Sequence, residues 1–186
     1  MNALLYPPEP TRHGFTGQEM LQMLQAGVLY EDGRFELIDG EIIDMPAEGG
    51  AHVSLKIALN RFLIEALPHS ISVAPECTLR LSDRSWPTPD FFVFPASIDS
   101  DAVRGRDTLL IVELSDSSLS HDLNRKADLY RAEGVREYWV IDLNARQVHV
   151  HRADGDWPAF ALPFTSTLEP ALIPGLKVRL ADLLPE

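Results

Sequence analysis

Two carboxylates lie where the sequence predicts apolar β-strands. Asp90 directly precedes the apolar run FFVF, and Glu113 lies near the end of a nearly continuous apolar run at 107–114. Such a carboxylate must be paired, hydrogen-bonded or bound to a cation, because an isolated buried charge is costly. If the two strand ends are neighbours, Asp90 and Glu113 could bind Mg²⁺, and the backbone carbonyl of Leu114 could add a ligand. Mn²⁺ is an alternative occupant of the same oxygen ligands.

Three polar side chains follow at helical spacing. Asp122, Lys126 and Tyr130 recur at i, i+4 and i+8, so one face of a predicted helix carries all three. A divalent cation at the strand ends would lower the pKa of a bound water and polarise a phosphodiester oxygen. A lysine beside it would orient the attacking water or stabilise the negative charge that develops on phosphorus. The pattern therefore indicates metal-assisted phosphodiester hydrolysis.

The same residues also admit structural interpretations. Glu113 and Lys126 could form a buried ion pair without catalysis, and Lys126 could be an ordinary helix-surface partner of Asp122. His52 lies close to the start of a predicted helix, where it could contact a phosphate or the acidic cluster, or serve as a structural histidine. Tyr130 could simply pack in the core.

The apolar periodicity predicts the elements that must position these groups. They are a helix at 15–26 with Thr16 as N-cap, a β-hairpin at 35–45 around Asp39-Gly40, a helix at 51–67, strands at 70–81, 91–94 and 107–114, a helix at 119–133 capped by Gly134, strands at 137–142, 147–151 and 160–164, and a final segment at 178–184. This order predicts a mixed α/β domain with one central sheet and helices packed on it.

Composition narrows the class of protein. The chain has 186 residues, which favours a single domain at 15–186 after a Pro-rich arm at 1–14. Its one cysteine, Cys77, excludes an internal disulfide and favours the cytoplasm. We expect no membrane segment, because no apolar stretch approaches the roughly 18 residues that one requires. The formal net charge of -12 argues against tight, passive DNA binding, but less against a metal enzyme, whose cation supplies local positive charge.

An ordered series of motifs resembles a known group of proteins. PTPD at 87–90 and VELS at 112–115 resemble the PD-(D/E)XK nuclease superfamily. ELIDGEII at 36–43, these two motifs, DLNRKADLY at 122–130 and GVREYWVID at 134–142 are similar, in that order, to a large bacterial family of short proteins described as putative restriction endonucleases. The resemblance covers roughly residues 34–152. Its specificity comes from the whole series, since short acidic patterns also occur by chance.

The resemblance implies a restriction-endonuclease-like fold of the α/β (mixed α+β) class, with a central mixed sheet flanked by helices and a core α-β-β-β-α-β unit. It implies Asp90 and Glu113 as the catalytic pair, Lys126 as the lysine and Glu36 as an accessory acid. The superfamily pattern has a lysine where this chain has Ser115, which could instead hydrogen-bond the acidic cluster. Residues i and i+2 of a strand lie on the same side, so a lysine there would flank the metal. Lys126 can replace it only if its helix lies over the strand end.

The implied function is Mg²⁺-dependent hydrolysis of DNA phosphodiester bonds. We expect a homodimer, since two sites cut both strands most simply, and the net charge predicts weak or transient DNA binding. Two other hypotheses stay open. The first is a non-catalytic nuclease fold used for protein association, with an acid–lysine network in place of a metal, and the net charge of -12 motivates it. The second is a hydrolase of small phosphate compounds.

Overall fold

The computed structural model describes residues 12–30, 33–154, 157 and 160–184. Its helices are α1 Gly17–Gln25, α2 Gly50–Ala66, α3 Leu119–His121 and α4 Ala127–Ala132, and a π-helical turn, Asp122–Lys126, joins α3 to α4. Its strands are β1 Phe35–Ile38, β2 Glu41–Asp44, β3 Ile71–Pro75, β4 Phe91–Pro95, β5 Leu110–Ser115, β6 Glu137–Asp142, β7 Gln147–Arg152 and β8 Phe160–Pro163. Short 3₁₀ helices cover Ser100–Ala102, Gly105–Asp107 and Leu180–Asp182. Among these residues, no helix is both long and apolar enough to cross a lipid bilayer.

The large sheet contains six strands in the order β3-β4-β5-β6-β7-β8. Only the β5–β6 pair is parallel, and the other neighbouring pairs are antiparallel. The chain reaches β6 from β5 through α3, the π-helical turn and α4, as a parallel connection requires. From α2 to β6 the elements follow the expected α-β-β-β-α-β order. The predicted mixed sheet with flanking helices is confirmed.

Alternating side chains on the central strands build one apolar core on each face of this sheet. The α2-side core contains Leu55, Leu59, Leu63, Phe91, Val93, Leu110, Val112 and Leu114. The α4-side core contains Phe92, Phe94, Ile111, Ala127, Leu129 and Tyr130. Successive strand side chains point to opposite faces. Glu113 and Ser115 therefore lie on the same side of β5 as Ile111, which is the side that α4 covers.

Local sequence signals set two boundaries that position the site. Asp39 and Gly40 have φ of 53° and 80°, the positive values that a two-residue hairpin turn needs, and β1 pairs with β2 around them. The Thr16 side chain caps α1 by accepting a hydrogen bond from the Glu19 N–H, and the Glu19 carboxylate accepts from the Thr16 N–H in return. The predicted hairpin and this N-cap are confirmed.

The strand predicted at 70–81 is too long. β3 ends at Pro75, and Glu76 takes a φ of 50°, which breaks the extended backbone. The alternation beyond it has another cause: Leu79 and Leu81 are buried in the α4-side core, on a segment that bonds the nearby 85–87 chain instead of the sheet. The arm predicted at 1–14 lies mostly outside the described residues, so its separation from one domain at 15–186 stays a prediction.

Leu63→Ala should destabilise the protein far more than Val28→Ala. Leu63 is 1% exposed in the α2-side core, whereas Val28 is 66% exposed. Truncating a buried leucine costs about 2–5 kcal/mol, because apolar burial is lost and a cavity remains. A surface substitution stays within about 0.5 kcal/mol. Urea unfolding measures both free energies, and equal losses would contradict the packing of α2 on the sheet.

Candidate functional site

A glutamate on β5 and a lysine from the following helix form the centre of the site. Lys126 Nζ lies 2.9 Å from Glu113 Oε1, and the Tyr130 hydroxyl donates a hydrogen bond to the same oxygen at 2.9 Å. Two residues along the strand, Ser115 donates a hydrogen bond to Asp122 Oδ2. Two strand residues span about 6.7 Å and four helical residues about 6 Å, so alternate strand positions match successive helical turns. The helix does lie over this end of β5.

The π-helical turn Asp122–Lys126 aligns these helical side chains. On an α-helix, residues four apart are rotated by about 40°, so residues eight apart would diverge by about 80°. A π-helical turn has i→i+5 hydrogen bonds and more residues per turn than an α-helix, so each residue rotates less about the axis. The smaller rotation offsets the divergence of residues four and eight apart. Asp122, Lys126 and Tyr130 consequently all reach β5. The prediction of one uninterrupted α-helix at 119–133 was therefore wrong, because the π-helical turn interrupts it.

Asp90 reaches Glu113 through the strand register. β4 and β5 are antiparallel with Phe91 opposite Val112, so the next position places Asp90 opposite Glu113. The Asp90 N–H donates to Glu113 Oε2 at 3.4 Å, and Asp90 Oδ2 accepts a hydrogen bond from the Leu114 N–H at 2.8 Å. The two acids expected at neighbouring strand ends are therefore adjacent.

Glu36 joins the cluster from the β1–β2 hairpin. Leu37 and Trp86 exchange two backbone hydrogen bonds, which hold β1 against the segment that leads to Asp90. Glu36 Oε1 accepts a hydrogen bond from the Thr88 N–H at 2.7 Å and lies 2.9 Å from Lys126 Nζ. Glu36 is fully buried, and its Oε2 has no hydrogen-bond partner among the described residues.

Three carboxylates therefore surround the Lys126 ammonium: Glu113 and Glu36 at 2.9 Å, and Asp122 at 3.9 Å. Burial lowers the pKa of Lys126, but the three acids outweigh it and raise that pKa above its usual value. Burial raises the pKa of Glu113 well above its usual range, and Lys126 only partly opposes this rise because the other acids add to it. With more acids than cations, the cluster favours an additional cation.

A second ionic group contacts Asp90 from the α2 side. His52 Nε2 lies 3.5 Å from Asp90 Oδ2, and Lys56 Nζ lies 3.4 Å from Asp90 Oδ1. Lys56 also lies 2.5 Å from Glu48 and 2.6 Å from Glu76. Burial raises the pKa of Asp90, but the His52 and Lys56 contacts lower it overall. Burial lowers the pKa of His52, but Asp90 and Glu48 raise it overall.

A cavity of about 270 Å³ opens beside the two central carboxylates. Its wall contains Arg34, residues 43–49, His52, Thr88, Asp90, Glu113, Leu114, residues 116–118, His121, Asp122 and Lys126. Glu36, Ser115 and Tyr130 support this wall from behind through their contacts with Lys126, Asp122 and Glu113. Six carboxylates line the cavity, namely Asp44, Glu48, Asp90, Glu113, Asp116 and Asp122. This oxygen-rich wall can accept a cation.

The structure brings every candidate residue from the sequence into one connected cluster. Sequence reasoning missed Arg34, Glu48, Lys56 and Glu76, which form the ionic group on the α2 side. Lys56 does leave a signal, because it lies four residues after His52 on the apolar face of α2, where a lysine must find a partner. The others lie in connecting segments without periodicity. Which of these residues act in a reaction stays a prediction.

Comparison with known proteins assigns the chain to a family. The family model Uma2, described as "Putative restriction endonuclease", matches residues 18–181. The chain belongs to the Uma2 family, as the ordered motifs indicated. A comparison with curated proteins found no match.

Two solved structures are similar. One is a putative nuclease belonging to DUF820 from Anabaena variabilis ATCC 29413, with a TM-score of 0.70 and 17% identity over 91% of this chain and 97% of that chain. At this identity the likeness shows the fold alone, and it confirms the restriction-endonuclease-like fold. The type IIG restriction endonuclease BpuSI matches with a TM-score of 0.39 and 21% identity over 66% of this chain and 13% of its own, and carries no argument.

Lys126→Met should destabilise the fold, because Glu113 and Glu36 would stay buried without their cation. Removing one partner of a buried ion pair costs about 3–5 kcal/mol. Lys177→Met is the matched control: the Lys177 side chain is 65% exposed and pairs with Glu169 at 3.2 Å. An exposed pair contributes about 0–1 kcal/mol. Urea unfolding compares the two variants, and similar losses would refute a structural role for the shared ammonium.

Proposed function

We propose that this Uma2-family protein is a divalent-metal-dependent endonuclease that hydrolyses DNA phosphodiester bonds. The observation that carries the proposal is that Asp90, Glu113 and the buried Lys126 ammonium meet at the wall of one cavity. Adjacent carboxylates supply cation ligands, and the ammonium supplies positive charge where negative charge develops in phosphoryl transfer. The nuclease descriptions of the family and of the DUF820 structure support the same chemistry.

The donor atoms fit a hard divalent cation such as Mg²⁺, with Mn²⁺ as the alternative. Glu113 Oε1 accepts hydrogen bonds from Lys126 and Tyr130, whereas Oε2 has among the described residues a single long one, from the Asp90 N–H at 3.4 Å. Glu113 Oε2 is therefore available as a ligand beside the Asp90 carboxylate. Asp90 and Glu113 would hold the cation, with the Leu114 carbonyl as a further oxygen ligand. When bound, this cation lowers the pKa of a coordinated water and polarises a phosphodiester oxygen.

Lys126 contributes charge and does not act as a base. Its pKa is raised, so it stays protonated at neutral pH. An ammonium has three N–H donors. Glu113 accepts one of them at 2.9 Å, Glu36 lies at ion-pair distance, also 2.9 Å, and Asp122 at 3.9 Å is too far for a hydrogen bond. The remaining donor is left to orient the attacking water or to stabilise the charge on phosphorus.

Other residues position these groups. Glu36 holds Lys126 from the hairpin side, so its accessory role is exerted through the lysine. Burial raises the pKa of Tyr130 well above its usual value, and the neutral phenol stays a donor to Glu113. Ser115 and Asp122 tie the end of β5 to the helix. The position of Lys126 therefore depends on three different elements.

One observation favours a second candidate, a non-catalytic module for protein association. The Lys126 ammonium already gives Glu113 and Glu36 a cationic partner from the protein itself, and Lys126 is only 1% exposed. Such a network can serve the fold alone. Calorimetric titration of Mg²⁺ or Mn²⁺ into the natural protein and into Glu113→Gln separates the candidates, because only the endonuclease needs a metal bound by Glu113.

We further propose weak or transient DNA binding, since Lys and Arg contacts to phosphate dominate such affinity and the chain has a net charge of -12. We propose a cytoplasmic location because Cys77, the one cysteine of the sequence, is free and exposed. A homodimer would place two sites on one duplex. The outer face of α2 offers a surface for it, because Val53, Ile57 and Ile64 are 39%, 58% and 61% exposed.

The homodimer can be tested on α2. Light scattering after size exclusion should give twice the chain mass of 20.8 kDa for the natural protein. Ile57→Glu should give the single-chain mass, because a buried unpaired carboxylate would destabilise the interface. The Glu65→Gln protein, which is altered at an exposed side chain of the same helix, should stay dimeric. A monomeric natural protein would refute the dimer and leave the chemistry of the site untouched.

Asp90→Asn and Glu113→Gln should each reduce plasmid nicking with Mg²⁺ or Mn²⁺ by about 100-fold or more, because each change removes a charged ligand. Lys126→Met should reduce it by a similar factor through the loss of an ammonium beside the reacting phosphate. Conversion of supercoiled to open-circular plasmid gives the rates.

Glu65→Gln is also the matched control for nicking, since it is the same substitution as at Glu113 on an exposed position away from the cavity. It should nick at the natural rate. Circular dichroism establishes that each variant is folded before its rate is compared. Equal rates in the natural protein and in folded Asp90→Asn or Glu113→Gln would end the endonuclease proposal.

A further inference from the structure

An ionic group on the α2 side of the cavity shares only Asp90 with the proposed hydrolysis. It consists of Glu48, His52 and Asp90, with Lys56 beside them. Glu48 comes from the segment after β2, His52 from the first turn of α2, and Asp90 from the residue before β4. One ligand atom from each of these three lies within 4.8 Å of the other two. Donors from three separate elements therefore converge on a space of the size that a metal ion needs.

His52 is the feature of this group that points to a ligand. It is 7% exposed, and its Nδ1 has no hydrogen-bond partner in the part of the chain that the structure describes. The two ring nitrogens face the two acids, with Nδ1 3.4 Å from Glu48 Oε2 and Nε2 3.5 Å from Asp90 Oδ2. Buried polar atoms are normally satisfied. An unsatisfied imidazole nitrogen between two carboxylates has the chemistry of a metal ligand.

Lys56 supplies the positive charge of the group. Its Nζ lies 2.5 Å from Glu48 Oε2 and 3.4 Å from Asp90 Oδ1. It also lies 2.6 Å from Glu76, which is outside the Glu48–His52–Asp90 group. Lys56 can therefore keep a carboxylate partner if a different cation binds Glu48 and Asp90. Arg34, which pairs with both Glu48 and Glu76, adds a second positive charge on that side.

We propose that Glu48, His52 and Asp90 form a second divalent-cation site, in which the metal replaces Lys56 as the counter-ion of the two acids. Asp90 is shared with the position beside Glu113, so the two sites adjoin. The Lys56 ammonium turns towards Glu76 when the metal binds. The site does not depend on nuclease activity, because coordination can occur in a protein that cleaves nothing.

The imidazole determines which cation fits. Mg²⁺ is bound by oxygen ligands and keeps several waters, whereas imidazole nitrogen suits first-row transition metals. His52 therefore favours such a metal over Mg²⁺ at this position. Mn²⁺ is the suitable probe, because it also accepts carboxylate ligands and carries unpaired electrons that report its ligands.

Electron paramagnetic resonance of the full chain with Mn²⁺ tests the site. Pulsed measurements detect the coupling between bound Mn²⁺ and an imidazole nitrogen. We expect this coupling in the natural protein, and in Glu113→Gln, which alters only the adjoining position. His52→Gln should abolish it. His121→Gln is the matched control, since His121 also lines the cavity but lies outside the proposed site, and it should keep the coupling.

The Mn²⁺ dissociation constant gives a second readout without a change of histidine. Glu48→Gln should raise it about tenfold or more, and Lys56→Met should lower it, because one removes a negative ligand and the other a competing cation. No nitrogen coupling in the Mn²⁺-loaded natural protein, coupling that persists in His52→Gln, or tighter binding in Glu48→Gln would overturn the site. Coupling without plasmid nicking would count against the hydrolysis alone, and nicking without coupling against this site alone.

Discussion

One buried ammonium shared by two carboxylates holds the site together. Lys126 lies 2.9 Å from both Glu36 and Glu113, and all three are almost inaccessible to solvent. Removing these charges from water is costly, so the arrangement persists only where each charge has its partner. The partners come from the hairpin, from β5 and from the helix after it. The ion pair therefore specifies how three elements meet, and the strand register adds Asp90 from β4.

The same constraint leaves an excess of negative charge at the cavity. Glu113, Glu36 and Asp122 share the Lys126 ammonium, while Asp90 turns to His52 and Lys56 on the α2 side. The cavity lies between these two ionic groups and is lined by two carboxylates from each, Glu113 and Asp122 from one and Glu48 and Asp90 from the other. Clustered carboxylates repel one another, and a bound cation lowers their electrostatic free energy. In the proposed function, such cations offset part of the net charge of -12 where the substrate would bind.

Much of the fold followed from local patterns. Apolar runs predicted β4, β5 and β6, and the Asp39-Gly40 pair predicted the hairpin turn, since few residue pairs adopt two positive φ angles. The strand at 70–81 was overextended because alternation reports burial on one side and does not report a sheet partner. Beyond Pro75 the chain leaves the sheet at Glu76, and Leu79 and Leu81 bond the 85–87 segment instead. The π-helical turn was missed because no composition signal marks it.

The sequence by itself determined which residues had to find partners: a glutamate inside an apolar strand, an acid before another, and a lysine on a helix face. An unpaired charge in an apolar strand or on a buried helix face is too costly to remain. Residue type and position were therefore sufficient to predict which residues need a partner. Only the tertiary structure decided which partners they found. Lys126 reaches Glu113 because a helical turn and two strand residues have similar lengths. Glu48 and Glu76 reach Lys56 only through the folding of connecting segments, whose paths no sequence periodicity encodes.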